Sequence, residues 1–180
     1  DGVTNGDETI DGTNPQDPCD YMASSVTLPM TASWDVEDCD GDGVPNGVEV
    51  GDGTDPQDPC DYLATSQTGP TSSTWDALDC DGDGDPNGTD PDPQDPCVAT
   101  TQTIPLTTDP NYNVWAAADC DGDGEDNGTE VTNGTNPFDP CDVTIATIPS
   151  PSSENYGVWA AADCDGDGET NGEEASNGTG

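Results

Sequence analysis

Acidic and amide side chains recur at alternate positions of a short segment that also contains glycine. In its clearest copy, Asp38–Glu49, oxygen-bearing side chains occupy positions 1, 3, 5, 9 and 12, and glycine occupies position 6. A small, hard cation binds six to eight oxygen atoms at about 2.4 Å, and the glycine allows the sharp turn that directs alternate side chains inward. Carboxylates this close do not all stay ionised unless a cation lies between them. The spacing therefore predicts a calcium loop of the EF-hand type, since Mg²⁺ prefers to keep its waters.

The loop occurs five times, which argues against a chance run of acidic residues in a solvated linker. We expect side-chain ligands at positions 1, 3, 5, 9 and 12 and a backbone carbonyl at position 7. The first copy begins at position 5, and the third ends on Asp90 instead of glutamate, so we expect the third site to be the weakest or to recruit Asp92. The predicted metal ligands are Asp1, Val3, Asn5 and Glu8; Asp38, Asp40, Asp42, Val44, Asn46 and Glu49; Asp79, Asp81, Asp83, Asp85, Asn87 and Asp90; Asp119, Asp121, Asp123, Glu125, Asn127 and Glu130; and Asp163, Asp165, Asp167, Glu169, Asn171 and Glu174.

The composition of the chain offers little else to fold with. Its 180 residues include forty acidic side chains and no Lys, Arg or His, which gives a formal charge of −40, and only 28% of them are apolar. By itself such a composition is typical of disordered chains. Core-poor chains gain order from disulfides and metals, and this chain has eight cysteines beside its carboxylate clusters. One calcium ion per loop would reduce the net charge to roughly −30.

The same composition excludes several classes of function. Without Lys or Arg the chain cannot neutralise phosphate groups, so nucleic acid is not expected as a partner. Without His there is no Ser-His or Cys-His pair, and without Lys there is no Schiff base. Paired carboxylates could perform acid–base chemistry as in glycosidases, but here they lie at metal-binding spacing, so we expect no enzyme. No apolar run approaches the roughly 18 residues of a membrane span.

Complete loops begin about forty to forty-four residues apart, which indicates a repeat array. Each unit contains the acidic loop, a Pro- and Asp-rich connector that ends in cysteine, and a Ser/Thr/Pro-rich spacer that leads to a tryptophan. We divide the chain into repeats at residues 1–37, 38–78, 79–118, 119–162 and 163–180. Because the pattern starts and stops within a repeat, we expect a window of a longer array. The connector aspartates either hold a second ion, close off the first, or form Asp-Pro turns: Asp17, Asp20, Asp55, Asp58, Asp61, Asp95, Asp139 and Asp142.

Gly and Pro interrupt every stretch, and no apolar stripe of helical period lasts three turns, so helices are not expected. Spacer segments such as Ser25–Leu28 and Val143–Ile148 suit short extended strands. The predicted fold class is a small disulfide- and calcium-stabilised repeat array, mostly irregular, with EF-hand-like calcium loops and short β-strands, extended as a rod.

Two cysteines belong to each unit, one in the loop and one at the end of the connector. Pairing across each loop and connector would leave Cys19 and Cys164 without partners and includes an outlying interval of seventeen residues. Zinc is the rival interpretation, but the chain has no His and no close Cys-x-x-Cys pair. We therefore predict pairing across each spacer, which implies an oxidising, extracellular setting. The predicted disulfides are Cys19–Cys39, Cys60–Cys80, Cys97–Cys120 and Cys141–Cys164.

Four tryptophans each precede a loop cysteine by five residues, and four tyrosines lie in the spacers. We expect these aromatic side chains to pack beside the disulfides, and stacking on a sugar is the alternative. They are Trp34, Trp75, Trp115 and Trp159, with Tyr21, Tyr62, Tyr112 and Tyr156. Asn87, Asn127, Asn133 and Asn177 each begin Asn-Gly-Thr, the acceptor pattern for N-linked glycans.

Taken together, the loop, connector and cysteines resemble the thrombospondin type 3 family of calcium-binding repeats. The resemblance rests on Asp38–Cys60 and its counterparts, which read Asp-Cys-Asp-Gly-Asp-Gly, then Asn-Gly-x-Glu, then Asp-Pro-x-Asp-Pro-Cys. It is closest to versions in long bacterial secreted and surface proteins, and it leaves the long spacers uncovered. It implies a structural, calcium-stiffened module of adhesins, stalks or surface filaments.

These features predict an extracellular, cell-surface calcium-binding protein that forms a stiff stalk or the repeating body of a filament. The expected partners are other copies of the chain or neighbouring repeats of a longer chain, and glycans are a further expectation. The alternative is an adhesin-type module that recognises carbohydrate or protein, which an exposed aromatic cluster would favour and buried tryptophans would oppose. A third hypothesis is a mineral template or calcium reservoir, which requires many more ions per repeat.

Overall fold

The computed structural model describes residues 1–144 and 148–178 of the chain. It divides into two compact units, Asp1–Ala77 and Leu78–Gly180. The first unit contains the first and second loops, and the second unit contains the other three. The described residues form six short α-helices, namely α1 (Asn5–Asp11), α2 (Asn46–Asp52), α3 (Tyr112–Ala117), α4 (Asn127–Asn133), α5 (Tyr156–Ala161) and α6 (Asn171–Asn177). Short 3-10 turns occur at Ala23–Ser25 and Trp75–Ala77.

Helices α1, α2, α4 and α6 each begin at position 9 of a calcium loop and carry the position-12 glutamate in the first turn. The residue before the helix often caps it: Asp126 accepts from the backbone N–H of Thr129, and Thr170 forms a capping box with Glu173. After seven residues each helix ends at a glycine with positive φ, such as Gly134 at 83°. A left-handed glycine is a common helix stop, so the local sequence marks where these two-turn helices end.

The third loop is the one complete loop in the described residues that no helix follows. Its position-12 residue, Asp90, precedes Pro91, and a residue before proline is disfavoured in the helical conformation. Asp90 donates its N–H to the carbonyl oxygen of Pro86 at 3.0 Å. The chain therefore completes a single turn here and leaves directly into the shortened connector.

Helices α3 and α5 immediately precede the fourth and fifth loops, so each of these loops lies between two short helices, as in an EF-hand. Helix α3 packs on α4 at a point of close approach. A Cβ atom added to Gly128 would lie 3.0 Å from the Cβ and the carbonyl oxygen of Ala116. Gly172 of α6 lies equally close to Ala160 of α5. Small residues at these positions thus allow the helices before and after the loop to pack closely against each other.

The expectation that the chain lacks helices was wrong. The helices are six or seven residues long, which is too short for an apolar stripe to last three turns. Their termini carry the signals that were missed, because an N-cap residue such as Thr170 and a terminal glycine such as Gly178 bracket one of them.

The predicted short strands are also not found, since no strand occurs within residues 1–144 and 148–178. Ser25 ends a 3-10 turn, and the N–H groups of Thr27 and Leu28 donate to the carbonyl oxygen of Gly2. The spacer backbone therefore pairs with a loop glycine rather than with another spacer. Of the second predicted strand, Val143–Ile148, residues 145–147 lie outside the described part of the chain.

The apolar core of each unit is small. Two clusters in the first unit consist of Val3, Tyr21 and Trp34, and of Val44, Tyr62 and Trp75. In the second unit Trp115 packs against Tyr112 and Phe138, with ring centroids 5.7 and 6.3 Å apart. Among the described residues, more polar and charged side chains than apolar ones are buried. Apolar burial therefore cannot be the main source of order in this chain.

All eight cysteines form disulfides. Three bridges each span a spacer, with sequence separations of 20, 23 and 23 residues: Cys19–Cys39, Cys97–Cys120 and Cys141–Cys164. Cys60 and Cys80 are disulfide-bonded as well. Closing a loop of this length stabilises a fold by roughly 3 kcal/mol in the chain-entropy model.

The helices of the described residues are all too short and too polar to cross a membrane.

Candidate metal centres

The aspartates at positions 1, 3 and 5 converge in each complete loop. One oxygen from each carboxylate lies within 4.8 Å of the other two. These triads are Asp38, Asp40 and Asp42; Asp79, Asp81 and Asp83; Asp119, Asp121 and Asp123; and Asp163, Asp165 and Asp167. In the second loop the position-1 residue, Asp38, accepts hydrogen bonds from the N–H groups of Gly41 and Gly43 at 2.7 and 3.0 Å. The backbone of the turn thus orients the first carboxylate.

In each of the next two carboxylates of the second loop, only one of the two oxygens accepts a hydrogen bond. The Oδ1 atoms of Asp40 and Asp42 accept from the backbone N–H groups of Asp42 and Val44 at 3.2 and 2.7 Å. Their Oδ2 atoms are buried and have no hydrogen-bond partner. A buried carboxylate oxygen without a partner is costly. A cation that binds oxygen ligands would satisfy both of these atoms.

Glu49 at position 12 adds a fourth carboxylate to the same centre. Its side chain is 0% exposed, and neither of its oxygens has a hydrogen-bond partner. Burial, together with the charges of Asp40 and Asp42, raises the pKa of Glu49 to about 8. Burial likewise raises the pKa of Asp40 to about 7 and that of Asp42 to about 6. A divalent cation would offset both the burial and the mutual repulsion of these groups.

The fourth loop is built in the same way. Glu130 is 0% exposed with both oxygens unpartnered, and burial plus the neighbouring aspartates raise its pKa to about 8. Asp121 and Asp123 are 1% and 2% exposed, and each has an unpartnered Oδ2 atom. Burial raises the pKa of Asp121 to about 7.

The third loop keeps the triad but alters position 12. Burial raises the pKa of Asp81 to about 7 and that of Asp83 to about 6. Asp90 has one buried, unpartnered oxygen, Oδ2, and its Oδ1 accepts from the N–H of Asp92 at 2.9 Å. One of its two oxygens is therefore occupied by the backbone, whereas both oxygens of Glu49 and Glu130 lack partners. This geometry fits a weaker site.

The first and fifth loops complete the set. Glu8 is 1% exposed and its Oε1 atom is unpartnered, while Asp1 accepts from the N–H of Val3 at 2.9 Å. In the fifth loop the three aspartates converge but remain exposed. Burial and the surrounding carboxylates still raise the pKa of Glu174.

The asparagine at position 9 has a role that its spacing did not indicate. Asn127 is 0% exposed, and its Oδ1 atom accepts from the N–H of Cys120 at 3.1 Å. Its Nδ2 atom donates to the carbonyl oxygen of Trp115 at 2.8 Å and contacts Sγ of Cys120 at 3.1 Å. Asn46 and Asn171 make the same set of contacts in their own loops. The amide therefore ties the disulfide and the preceding tryptophan to the start of the helix, and ligation of a metal by its oxygen stays a prediction.

The side chain at position 7 also contacts the spacer that follows its loop. The carboxylate of Glu125 accepts from both the N–H and the hydroxyl of Thr144, and Asp85 accepts from the N–H of Thr100. Val44 is 0% exposed within its aromatic cluster. Each side chain thus holds the following spacer in place, which leaves only its backbone carbonyl for the predicted ligand role.

The connector aspartates form turns. Asp58 and Asp139 accept from the N–H groups of Cys60 and Cys141, two residues later, both at 3.1 Å. The connector also influences the candidate metal centre electrostatically, because the charge of Asp139 contributes to the raised pKa of Asp121. The turn interpretation of these aspartates therefore holds, and a second ion is not required by their contacts.

Three of the four tryptophans are unavailable to a ligand. Trp34, Trp75 and Trp115 are 1%, 4% and 1% exposed, and the indole N–H of Trp75 donates to the carbonyl oxygen of Pro59 at 2.8 Å. Trp159 is half-buried beside Tyr156, with ring centroids 5.6 Å apart. Local packing, rather than sugar stacking, is therefore the role of the three buried rings.

The glycan acceptor sequences differ in accessibility. Asn87 is 3% exposed and Asn127 is 0% exposed, so both side chains are enclosed within their loops. Asn133 and Asn177 are exposed at the ends of α4 and α6. Folded chains could accept a glycan only at the exposed pair.

The geometry defines a class: a disulfide-bonded repeat in which a twelve-residue acidic loop feeds a short helix, with a buried glutamate facing an aspartate triad. Four segments of the chain match the family model described as the bacterial TSP3 repeat, at residues 1–18, 38–59, 119–140 and 163–179. The predicted resemblance to thrombospondin type 3 repeats is thereby confirmed over these segments, and the altered third loop lies outside them. No curated protein and no solved structure matches the chain.

Proposed function

We propose that this chain is an extracellular structural protein whose repeats bind calcium and form a stiff stalk or the body of a surface filament. The observation that carries the proposal is the pair Glu49 and Glu130. Both are fully buried with both carboxylate oxygens unpartnered, opposite triads of aspartates. Thrombospondin type 3 repeats bind calcium, and a cation is what these oxygens require.

Calcium would stiffen the chain by adding a further link between parts that the position-9 asparagine and the disulfide already hold together. The triad lies in the loop, the glutamate lies on the following helix, and position 2 of the loop carries a cysteine bonded to the preceding connector. An ion held by triad and glutamate therefore fixes helix, loop and connector in one arrangement. Because the second, fourth and fifth loops each have a triad followed by a helix that carries the glutamate, a row of such junctions would resist bending along its length. The rod shape is part of this proposal.

The setting and ion number follow from the same features. Disulfides persist in oxidising compartments, so the proposed location is secreted, at the cell surface. We propose about one calcium per loop, with the third loop weakest, and a second ion per repeat only where connector aspartates supply it. Affinity should be modest, at about 10⁻⁴ to 10⁻³ M, as in extracellular modules. The proposal includes no enzyme activity, because every clustered carboxylate lies at a metal-binding position.

An adhesin-type binding module is the alternative, and glycans at Asn133 or Asn177 are compatible with either function. The burial of Trp34, Trp75 and Trp115 argues against a carbohydrate-stacking surface. Mineral templating would require many more ions per repeat than the triads can hold.

The test is removal of calcium from the chain in dilute solution. Chelator is titrated while circular dichroism follows the short helices and small-angle X-ray scattering follows the maximum particle dimension. We expect the helix signal and the maximum particle dimension to decrease together and to return when calcium is restored. Unchanged order in calcium-free solution would refute the proposal.

A further inference from the structure

Two spacers of the second unit each contact the calcium loop that precedes them through one asparagine. The Nδ2 atom of Asn111 donates to the backbone carbonyl oxygen of Asp79, position 1 of the third loop, at 2.8 Å. The Nδ2 atom of Asn155 donates in the same way to Asp119, position 1 of the fourth loop, at 2.9 Å. The same contact between spacer and loop therefore recurs in two successive repeats.

The contact is so close that it requires glycine in the loop. A Cβ atom added to Gly82, at position 4 of the third loop, would overlap the carbonyl group of Asn111, and one added to Gly122 would overlap that of Asn155. Gly82 and Gly122 have φ values of 81° and 78°, in the left-handed region that favours glycine. The asparagine therefore fits against the turn only while the turn keeps this shape.

Asn111 also begins the next helix. Its carbonyl oxygen accepts from the N–H of Val114 at 2.7 Å, at the start of α3. The φ of Asn111 is 58°, which is uncommon for a residue other than glycine. Such a conformation persists only where the surrounding structure holds it. Without its acceptor on Asp79, Asn111 is free to return to an ordinary backbone conformation, which would remove the start of α3.

Helix α3 in turn holds the helix that carries the position-12 residue of the fourth loop. The carbonyl oxygen of Trp115 accepts from Nδ2 of Asn127, the first residue of α4, and Gly128 lies against Ala116. Helix α4 carries Glu130, whose two buried oxygens have no hydrogen-bond partner. A continuous set of contacts therefore leads from position 1 of the third loop to position 12 of the fourth.

We propose that Asn111 is a positioning residue that couples calcium binding at the third loop to calcium binding at the fourth. The inference rests on the proposed calcium-binding function and gives a regulatory role to the spacer, which lies outside the segments that match the bacterial TSP3 repeat. Calcium among the carboxylates of the third loop would fix the turn, and the fixed turn keeps Asn111 in the conformation that begins α3. Helix α3 then holds Glu130 in place for the fourth ion.

Coupling between two sites is reciprocal, so calcium at the fourth loop should strengthen binding at the third by the same factor. A factor of about five is at the low end of the usual range. Because Asp90 replaces glutamate at position 12, we expect the third loop to be the weaker site and to fill after the fourth. The effect of coupling should therefore be seen in the affinity of the third loop.

The test is a calcium titration of the isotope-labelled full chain followed by NMR. The N–H of Gly84 donates to Asp79 of the third loop at 3.0 Å, so its amide signal reports occupancy of that loop. Gly124 reports the fourth loop through the equivalent bond to Asp119. Asp121→Asn, which removes a triad carboxylate from the fourth loop, should lower the affinity of the third loop about fivefold.

A double-mutant cycle assigns the coupling to Asn111. Asn111→Gly keeps a residue that adopts positive φ but removes the Nδ2 donor, so it should abolish the effect of Asp121→Asn on the third loop. Asn113→Gly, the same change at an exposed position of α3, is the matched control and should leave that effect intact. Because the result is a difference between variants, a general loss of stability does not imitate it.

Hydrogen exchange provides a second readout that needs no ion at the fourth loop. In the Asp121→Asn chain, calcium bound at the third loop should still slow exchange of the Val114 amide, because the start of α3 is held from that side. Adding Asn111→Gly should abolish the slowing.

A third-loop affinity that Asp121→Asn leaves unchanged would overturn the inference. An effect of Asp121→Asn that persists at full size beside Asn111→Gly would overturn it as well, and so would exchange at Val114 that calcium does not slow. Signals of Gly84 and Gly124 that do not respond to calcium at all would refute the proposed function itself. Responses at both glycines with independent filling of the two loops would refute the coupling alone.

Discussion

At the residue scale, the account depends on glutamates that are buried without any partner the protein provides. Glu49 and Glu130 lie in the first turns of α2 and α4; Asp126 caps α4, whereas no side chain caps α2. The ligand positions of the loop could be predicted from spacing, because alternate residues of a tight turn must converge. The asparagine contact with the disulfide could not, because nothing in the spacing shows which way an amide turns.

Replacing Glu130 by Gln tests the position-12 carboxylate. We expect calcium affinity at the fourth loop to fall at least tenfold, because a charged ligand becomes neutral. We also expect the calcium-free chain to become more stable, because a buried charge is removed. Isothermal titration and urea denaturation measure the two effects. Glu154→Gln, an exposed substitution with the same charge change, should alter neither, and equal effects from the two variants would contradict the assignment.

Replacing Asn127 by Asp separates a metal ligand from a structural contact. If the amide oxygen were mainly a ligand, a carboxylate there would preserve or raise calcium affinity. Asp lacks the Nδ2 donor that now bonds the carbonyl of Trp115 at 2.8 Å. We therefore expect a loss of stability of about 1–3 kcal/mol and weaker calcium binding at that loop, measured by denaturation and titration. Affinity above that of the parent chain would contradict the structural role.

At the element scale, every complete loop carries a disulfide-bonded cysteine, and a short helix follows every complete loop except the third. Sequence predicted the disulfide spacing because pairing across spacers is the arrangement that uses every cysteine. The prediction from sequence failed for the helices, because capping residues and a terminal glycine specify two turns without an apolar stripe. It failed for the strands because spacer backbone bonds to loop glycines, a contact between segments that no local pattern records.

Removing the bridge between Cys97 and Cys120 by paired serine substitutions tests this connection. The bridge closes 23 residues and bonds position 2 of the fourth loop to the preceding connector. We expect the free energy of unfolding in calcium to fall by roughly 3 kcal/mol. We also expect calcium to bind more weakly at that loop, because Asp119 and Asp121 flank the cysteine. Chemical denaturation with and without calcium provides the measurement; an unchanged midpoint in both would show that the bridge is not coupled to the loop.

At the scale of the whole molecule, negative charge and scarce apolar surface leave disulfides and bound ions as the expected sources of order. Burial and neighbouring aspartates raise the pKa of loop carboxyl groups, such as that of Glu49 from an ordinary 4.5 to about 8. Composition made the need for ions or disulfides predictable, but the burial of individual carboxylates such as Glu49 and Glu130 required the structure. The overall negative charge would oppose any association between copies unless ions screen it.

The sign of the pH dependence follows from these shifts. A carboxyl group with a raised pKa stabilises the metal-free fold below its ordinary value, and that stability is lost as pH rises through the raised value. The calcium-free chain should therefore be more stable at pH 5 than at pH 8. In calcium the chain should instead be more stable at pH 8 than at pH 5, because protons compete with the ion for the same oxygens. Denaturation midpoints at both pH values, on calcium-free and calcium-loaded chain, decide the matter; a calcium-free chain that is more stable at pH 8 would contradict the burial of these groups.

Anomalous X-ray scattering from crystals grown in calcium tests the central claim most directly. The account predicts one discrete anomalous peak in each of the second and fourth loops. The calcium ion at each peak should lie about 2.4 Å from its ligands, which are the triad and both oxygens of Glu49 or Glu130. Loops that keep the same conformation in calcium with no peak between the triad and the glutamate would contradict it.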